Sequence, residues 1–353
     1  MLAPANLPKY THVEYYADLD VILQYRIVIA TLTEKNMGSR YGDAALATRL
    51  RGQLRLPMIV APMFLVSGTE LVIECCEAGV IGSIPALNAR TSEILDEWLT
   101  IIDERLAALR CPAPYAVNLI VHTTNRRLDA DLDICIRHRV PLIIAAVGSP
   151  KHVLERVHSY GGRVFSDAGT VRHARRAAES GIDGIILLCA GAGGNTGWLS
   201  PFAFVAEVRQ FFDGPIILAG SISSGRNVHV AEMMGADMAV VGTNFIAARE
   251  SLAVAGYREM LIASNADDIV TTSEITGIPA NMLRASIERS KFTPTSERKG
   301  FDVDHEIATL KAWRDIWSAG HGVGVVTAVE SAAGIIDRFR LDYEQSRHRA
   351  NSV

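Results

Sequence analysis

The stretch Pro215–Asn244, PIILAGSISSGRNVHVAEMMGADMAVVGTN, decides the fold class of this chain. Its two ends, Pro215–Ala219 and Met238–Val241, are short apolar runs, as expected of parallel strands that are covered on both faces. An amphipathic segment, Asn227–Met234, lies between them, and Gly235 follows at the position where a helix ends. The stretch therefore predicts a strand–helix–strand unit of a parallel α/β fold.

The same unit recurs through most of the chain. Six further runs, all largely apolar and separated by helical segments, precede the stretch: Met58–Ala61, Val80–Ile84, Tyr115–Ile120, Pro141–Ala146, Arg163–Ser166 and Gly184–Cys189. A doubly wound sheet usually has about five or six strands, so a series of eight strand–helix units favours a (β/α)8 TIM barrel. We predict this barrel over residues 45–250.

The segments on either side of the barrel are predicted to be separate regions. Residues 1–44 form an N-terminal extension that either covers one end of the barrel or mediates self-association, which would make a homodimer. Residues 251–353 form a C-terminal helical cap over the mouth of the barrel. The predicted helices of the cap are Leu252–Ser264, Pro279–Glu288, Glu306–Ser318 and Ala328–Tyr343.

Composition excludes several classes of protein. The chain has 353 residues, 49% of them hydrophobic, and a net charge of −4, so neither a nucleic-acid scaffold nor a polybasic membrane binder is expected. No apolar run approaches the roughly 20 residues that cross a bilayer, and the first residues lack the pattern of a secretory signal. The five cysteines show no CxxC spacing, so a disulfide framework and a metal site are not expected. These features predict a cytoplasmic enzyme that acts on a small molecule.

The last two strands end in small residues, at the positions where a TIM barrel often binds phosphate. The seventh strand is followed by Gly220 and Ser221, and the eighth by Gly242 and Thr243. Glycine lets the backbone approach an oxyanion, hydroxyl groups add hydrogen bonds, and the start of the next helix adds unpaired N–H groups. Tight turns without a ligand are the alternative for either loop alone. The two loops together predict a phosphate site.

Two further strand ends are expected at the same edge of the barrel. The loop after the sixth strand, CAGAGGNTGWLSP (Cys189–Pro201), is rich in glycine and carries one long polar side chain, Asn195. Such a loop can lie flat against a planar ligand; the alternative is a solvent loop without one. Asn118 ends the third strand, and His122 follows four residues later. Each of these two residues either orders its loop or faces the site.

These strand ends together resemble the nitronate monooxygenase family, formerly called 2-nitropropane dioxygenases. Members of that family are FMN-dependent (β/α)8 barrels related to flavin-dependent enoyl-ACP reductases. The resemblance runs from about residue 45 to residue 343 and does not include residues 1–44. It rests on these motifs, in chain order: APM from Ala61, VNLIVH from Val117, AGAGGNTG from Ala190, LSPFA from Leu199, AGSI from Ala219, VGT from Val241 and AWRDIWSAGHGVG from Ala312.

The resemblance implies bound FMN and assigns its contacts residue by residue. The isoalloxazine ring lies against Ala61, Pro62 and Met63. Asn118 hydrogen-bonds to the flavin, and Gly193 and Gly194 run beside the ribityl chain or the ring. The residues that hold the phosphate are Gly220, Ser221, Gly242 and Thr243, which agrees with the chemistry of the two loops. Asp167, at the end of the fifth strand, is predicted as a further cofactor contact.

The chain departs from the family at one position. The family motif AGGH has a histidine that takes the α-proton of the substrate or donates a hydrogen bond to it, and Asn195 stands in its place. A carboxamide cannot accept and release a proton near neutral pH, although it can donate a hydrogen bond to a nitro, carboxylate or carbonyl oxygen. Either the substrate arrives already ionised or enolised, or another residue supplies the base. We predict Asn195 and His122 as catalytic residues, with His321 and Asp167 as alternative bases.

Three functions remain open at the level of sequence. The first is an FMN-dependent oxygenase that oxidises an electron-rich carbon with O2 and without nicotinamide. Its substrate would be a nitronate, an enolisable keto acid or a related metabolite. The second is an NAD(P)H-dependent reductase of the enoyl-reductase type, which shares the fold and the flavin. The third is a protein without catalysis that either binds flavin or lacks it.

Overall fold

The computed structural model describes residues 40–291, 303 and 314–350. Most of the predicted extension 1–44, and of the predicted helix Glu306–Ser318, lies outside the described residues. A single compact unit begins at Tyr41 and contains the elements below.

Eight parallel strands form the predicted barrel, and a ninth, short strand belongs to a second sheet. The barrel strands are β1 Met58–Val60, β2 Gly82–Pro85, β3 Tyr115–Ile120, β4 Leu142–Ala146, β5 Arg163–Ala168, β6 Gly184–Leu188, β8 Ile216–Ala219 and β9 Met238–Val241, and the short strand between β6 and β8 is β7, Gly194–Asn195. The barrel order is β1-β9-β8-β6-β5-β4-β3-β2. Its two ends meet, because the Val60 N–H donates to the Ile81 carbonyl at 2.8 Å and the Ile81 N–H to the Met58 carbonyl at 3.1 Å. The (β/α)8 prediction is confirmed.

One helix precedes β1, and seven more follow strands and cover the outside of the barrel. They are α1 Ala44–Arg51, α2 Thr69–Glu77, α3 Ser92–Ala107, α4 Leu128–Arg137, α5 Lys151–His158, α6 Val171–Glu179, α7 Pro201–Arg209 and α8 Gly225–Met233. The first helix packs against the barrel interior through Leu50 and, just beyond its end, Leu54. No helix within the described ranges combines the length and apolar character needed to cross a membrane.

Alternation along the strands fills the barrel interior with apolar side chains. Ile144, Phe165 and Ile186, on three adjacent strands, belong to one buried interior cluster. Side chains two residues farther along a strand point the same way but lie one layer nearer its carboxyl end. The interior layer above Phe165 therefore receives Asp167 from the same strand.

The chain after β9 forms a cap that is only partly helical. Its elements are α9 Thr243–Ile246, α10 Ala255–Ile262, β10 Ile269–Thr272, β11 Ala280–Leu283 and α11 Arg284–Ser290. The expected helix Pro279–Glu288 is wrong over its first half, because β11 pairs antiparallel with both β10 and β7. In this sheet Ala280 lies opposite Asn195, and Asn281 opposite Gly194. The glycine loop after β6 is thus an edge of the cap.

The last described helix, α12 Ala332–Ala350, packs on the barrel. Its buried residues Ile336 and Phe339 belong to the core shared by the strands and outer helices. Contact with α8 is close: a Cβ on Gly225 would lie 1.8 Å from the Phe339 carbonyl oxygen. In the ring of helices α12 lies beside α8 and α2, so it occupies the place of the eighth barrel helix.

Candidate active site

A cavity opens at the carboxyl ends of the barrel strands, under the cap. Its apolar floor includes Ile59, Ile144, Ile186 and Val240, which come from strands distributed around the barrel. The structure brings twelve of the predicted site residues to its wall: Ala61, Pro62, Met63, Asn118, Asp167, Gly193, Gly194, Asn195, Gly220, Ser221, Gly242 and Thr243. The remaining cavity wall comes mainly from cap residues, including Tyr257 and Ser318–Gly320.

The loops after β8 and β9 form the end of the cavity predicted to bind phosphate. Gly220 has φ +133° and Ser221 has φ +56°, a left-handed conformation that is costly for serine. Thr243 accepts a hydrogen bond at its Oγ1 from the Gly320 N–H at 2.9 Å, so its hydroxyl proton is directed elsewhere. Gly242 precedes α9 without a side-chain cap.

One part of the phosphate expectation is wrong. The start of α8 was expected to offer unpaired N–H groups, but side chains already cover it. Asp342 of α12 accepts from the Arg226 N–H at 2.8 Å, and the Ser224 Oγ accepts from the Asn227 N–H at 3.3 Å. Because α12 lies across this helix start, an anion at this end of the cavity depends on the two glycine turns.

The glycine loop after β6 is held by the cap. Asn281 is buried on β11, and its Nδ2 donates to the Ala192 carbonyl at 2.7 Å while its Oδ1 accepts from the Thr271 hydroxyl. Gly193 and Gly320 pack backbone against backbone, since a Cβ on Gly193 would lie 2.7 Å from the Gly320 nitrogen. Sequence reasoning missed Asn281, because its segment was read as helix and its partner is far away in the chain.

Asn195 faces the cavity with an unused acceptor. Its backbone is fixed by the pairing of β7 with β11, and its Oδ1 is buried without a hydrogen-bond partner among the described residues. A buried carbonyl without a partner destabilises the protein by about 1–3 kcal/mol. This atom therefore marks a position where a ligand donor fits.

Asp167 is the acidic group of the cavity wall. Within the described part of the chain its carboxyl group has no hydrogen bond or ion pair, and burial alone raises its pKa from 3.8 to about 7. The neighbouring strands β4 and β6 contribute Ile144 and Ile186 to the barrel interior, so the carboxyl group lies among apolar side chains. The carboxyl group therefore changes its charge near neutral pH.

Asn118 and the loop after β1 are ordered by hydrogen bonds. Asn118 donates from its Nδ2 to the Ile144 carbonyl at 3.0 Å, which leaves its Oδ1 for other partners. The loop that carries Met63 is fixed by Asn88, whose Nδ2 donates to the Met63 carbonyl at 3.0 Å and the Ser67 carbonyl at 2.8 Å. Sequence reasoning missed Asn88, which lies in a 3-10 turn after β2 without a sequence motif.

Neither candidate histidine lies on the cavity wall. His122 follows β3, where its Nδ1 is 2.9 Å from the Thr124 hydroxyl oxygen. His321 begins a 3-10 turn of the cap, is exposed, and donates its backbone N–H to the Gly191 carbonyl at 3.0 Å. His122 is thus not among the side chains that line the cavity, where a base would contact the substrate.

The residues of the cavity fit FMN in three respects. Small residues line the end predicted to bind phosphate, and the floor offers an apolar surface to a flat ring. The Oδ1 of Asn118 provides an acceptor for a donor on a ring edge, and the buried Oδ1 of Asn195 provides an acceptor for a donor on a bound ligand. No group of three or more metal-ligating side chains occurs in the described ranges.

Comparisons with known proteins agree with this geometry. The family model for nitronate monooxygenase matches residues 87–339. A candidate monooxygenase of Mycobacterium tuberculosis is 32% identical over 213 residues, which cover 58% of this chain and 56% of that relative. A nitronate monooxygenase of Paraburkholderia phytofirmans is 24% identical over 340 residues, covering 82% of this chain and 93% of the relative.

A solved structure shows the same fold. The nitroalkane oxidase from Streptomyces ansochromogenes superposes with a TM-score of 0.73 and 22% identity, over 85% of this chain and 99% of that one. The chain spans little more than half the length of the mycobacterial relative, so that protein's activity does not transfer with the alignment. The family model, in contrast, covers most of the chain. The chain therefore belongs to the nitronate monooxygenase family.

Proposed function

We propose that this protein is an FMN-dependent oxygenase that oxidises an electron-rich carbon with O2 and without nicotinamide. Its substrate is a nitronate, an enolisable keto acid or a related small metabolite. The observation that carries the proposal is the cavity itself, with small residues at its phosphate end and an apolar floor. It also holds two polar groups without a partner among the described residues, the Asn195 Oδ1 and the Asp167 carboxyl group.

Binding of the cofactor falls to the residues at the strand ends. Gly220, Ser221, Gly242 and Thr243 hold the phosphate through backbone N–H groups and hydroxyls. Ala61, Pro62 and Met63 pack against the ring, Asn118 accepts a hydrogen bond from its edge, and Gly193 and Gly194 allow close approach. Bound FMN supplies the redox chemistry and the reaction with O2.

Asn195 orients the substrate. Its carboxamide donates a hydrogen bond from Nδ2 to a nitro, carboxylate or carbonyl oxygen, and this bond strengthens as negative charge develops on that oxygen. Pairing of β7 with β11 holds the residue in place before substrate binds. The cap residues Tyr257 and Ser318 line the cavity from above and reduce its contact with bulk water, which strengthens this hydrogen bond.

The test is anaerobic mixing of the purified, FMN-loaded chain with a nitronate, an arylpyruvate and NAD(P)H in separate cuvettes. We expect a carbon substrate to bleach the flavin absorbance, and air to restore it rapidly. Bleaching by NAD(P)H alone would replace the oxygenase with a reductase of the enoyl-reductase type.

Cofactor retention is tested separately. The chain is expected to purify with flavin absorbance or to regain it on addition of FMN. A colourless chain that cannot be reconstituted would favour the non-catalytic alternative. The Gly242→Val variant is expected to bind FMN at least about 10-fold more weakly, because a Cβ there already lies 3.2 Å from the Ala61 Cβ.

A further inference from the structure

The cavity wall holds few groups that can exchange a proton. Among its lining residues in the described part of the chain, only Asp167 and Tyr257 are titratable. Tyr257 is fully engaged: its hydroxyl donates to the Ser318 carbonyl and accepts from the Ser318 N–H at 3.2 Å. Burial also raises the pKa of Tyr257 to about 12, so the phenol stays protonated at neutral pH.

Asp167 has the opposite character. It sits at the carboxyl end of β5 and points into the cavity, without a hydrogen bond or an ion pair to any described residue. The flanking strands β4 and β6 consist of Leu142–Ala146 and Gly184–Leu188, neither of which contains a titratable or charged side chain. The phenol of Tyr257 is the one other ionisable group among the described residues that line the cavity.

We propose that Asp167 is the catalytic base that takes the α-proton of a neutral carbon acid, in place of the histidine that Asn195 replaces. In this step the α-C–H bond breaks, its electron pair stays on the substrate as a nitronate or enolate, and the proton moves to a carboxylate oxygen of Asp167. Water later takes the proton. The inference rests on the proposed function, because the anion formed is the species that function oxidises.

The ionisation of Asp167 suits this task. Burial raises its pKa to about 7, so about half of the molecules carry the carboxylate at neutral pH, and the basicity of that carboxylate is greater than that of an exposed one. Only the ionised form accepts a proton. Turnover of a neutral substrate is therefore expected to rise with pH up to a plateau above about 7.

Nitroethane and its preformed nitronate separate proton removal from oxidation. Both are assayed with the FMN-loaded, full-length chain, and the quantity compared is the ratio of kcat/KM for the neutral form to that for the anion. In Asp167→Asn we expect this ratio to fall at least about 100-fold, the usual contribution of a positioned base. The rise of the nitroethane rate with pH is expected to disappear as well.

Three control variants accompany this measurement. Ser166→Ala changes the neighbouring buried residue, which lies on the opposite face of β5, and His122→Gln removes the histidine outside the cavity wall. Both are expected to keep the ratio within about 3-fold of the wild type. Asp167→Glu retains a carboxylate and should recover part of the ratio. The proposal is overturned if the ratio falls about 100-fold in His122→Gln and does not fall in Asp167→Asn.

Two readouts do not depend on turnover. The FMN dissociation constant of Asp167→Asn, measured by fluorescence titration, should stay within about 3-fold of the wild type; a large loss of FMN affinity with an unchanged ratio makes Asp167 a cofactor contact and overturns its role as base. In the purified full-length chain, the infrared carbonyl band of a protonated carboxyl group should titrate near pH 7 in wild type and be missing in Asp167→Asn.

Failure of the base and failure of the oxygenase give different results. A wild-type chain that oxidises the nitronate but not nitroethane overturns the role of Asp167 and leaves the proposed function standing. A flavin-loaded wild type that oxidises neither form overturns the proposed function. Exchange of the α-protons of nitroethane with D2O then still tests Asp167: exchange that is lost in Asp167→Asn supports the base, and no exchange in wild type overturns it.

Discussion

Asn195 stands where the resemblance to the family implies a histidine, and this changes the polar chemistry of the cavity. The carboxamide keeps the hydrogen-bond donor that a histidine would supply but loses the ability to take up a proton. Its buried Oδ1 has no partner among the described residues, so the position is built for a ligand rather than for the fold.

Restoring the histidine is therefore expected to add a base to the site. Asn195→His should raise kcat/KM for a neutral nitroalkane by at least about 10-fold, within the range that general base catalysis contributes. The FMN dissociation constant should change by less than about 3-fold, since β7 holds the backbone through β11. Steady-state kinetics and fluorescence titration measure the two quantities.

The control is Asn195→Gln, which keeps the amide but adds no titratable group. It should show no gain with the neutral substrate. If Asn195→His retains FMN and gains nothing over Asn195→Gln, the absence of a base at residue 195 does not limit the turnover of a neutral substrate.

Sequence reasoning located the cavity residues more readily than it assigned their roles. The glycine turns at Gly220 and Gly242 are visible as local patterns, and the order of strands places them together. The burial of Asp167 and the engagement of His122 with Thr124 depend instead on what packs around each side chain. His122 was favoured because it follows β3. The position of a residue after a strand does not show whether its side chain reaches the cavity wall.

At the scale of elements, the cap was the least predictable part of the chain. The segment from Pro279 to Glu288 has no alternation that distinguishes a strand from a helix, and its strand partner is the glycine loop of the barrel. The barrel strands, in contrast, were predicted closely, because each is a short apolar run between helices. The periodicity of a segment carries no information on which distant strand it pairs with.

Asn281 tests how strongly the cap holds the glycine loop. Asn281→Ala removes the hydrogen bond to the Ala192 carbonyl and leaves buried polar groups without a partner, which is expected to lower the free energy of unfolding by about 1–3 kcal/mol. We also expect FMN affinity to fall at least about 5-fold, because the loop loses its position. Urea unfolding and FMN titration measure these effects.

Thr272→Ala is the matched control, since Thr272 lies on the same small sheet but, among the described residues, its hydroxyl accepts only from the Glu274 N–H, at 3.1 Å. This variant should keep FMN affinity. Equal losses of affinity in both variants would show a general weakening of the cap rather than release of the loop.

Packing between α8 and α12 gives a second prediction at this scale. Gly225→Ala places a Cβ 1.8 Å from the Phe339 carbonyl and 2.6 Å from the Tyr343 nitrogen, so α12 must move. Overpacking of this kind typically costs about 1–3 kcal/mol. Thermal unfolding should show the loss, whereas Gly52→Ala, with no contact under 3.5 Å and a helical φ of −62°, should leave Tm unchanged or raise it.

At the scale of the whole molecule, Asp167 makes stability depend on pH. Its pKa is about 7 in the folded chain and ordinarily 3.8, so between these values the folded state holds a proton that the unfolded state releases. The free energy of unfolding therefore falls as pH rises from about 4 to 7, and the destabilisation by the ionised carboxylate is complete above pH 7. Three pKa units correspond to at most about 4 kcal/mol, and water in the cavity lowers this figure.

The Asp167→Asn variant isolates this effect. Relative to wild type at matched cofactor content, its free energy of unfolding should increase at pH 8 and change little at pH 4.5, as measured by urea unfolding. Identical differences at the two pH values would mean that Asp167 titrates normally in the folded chain.

The position of α12 also determines when the barrel can be completed during synthesis. All eight barrel strands lie before residue 242, yet the helix that fills the last gap in the outer ring begins at Ala332. A nascent chain that has released every strand from the ribosome still exposes the apolar faces of α8 and α2 until α12 follows. The cap is made in that interval, so this surface is the stretch on which chaperones are expected to act.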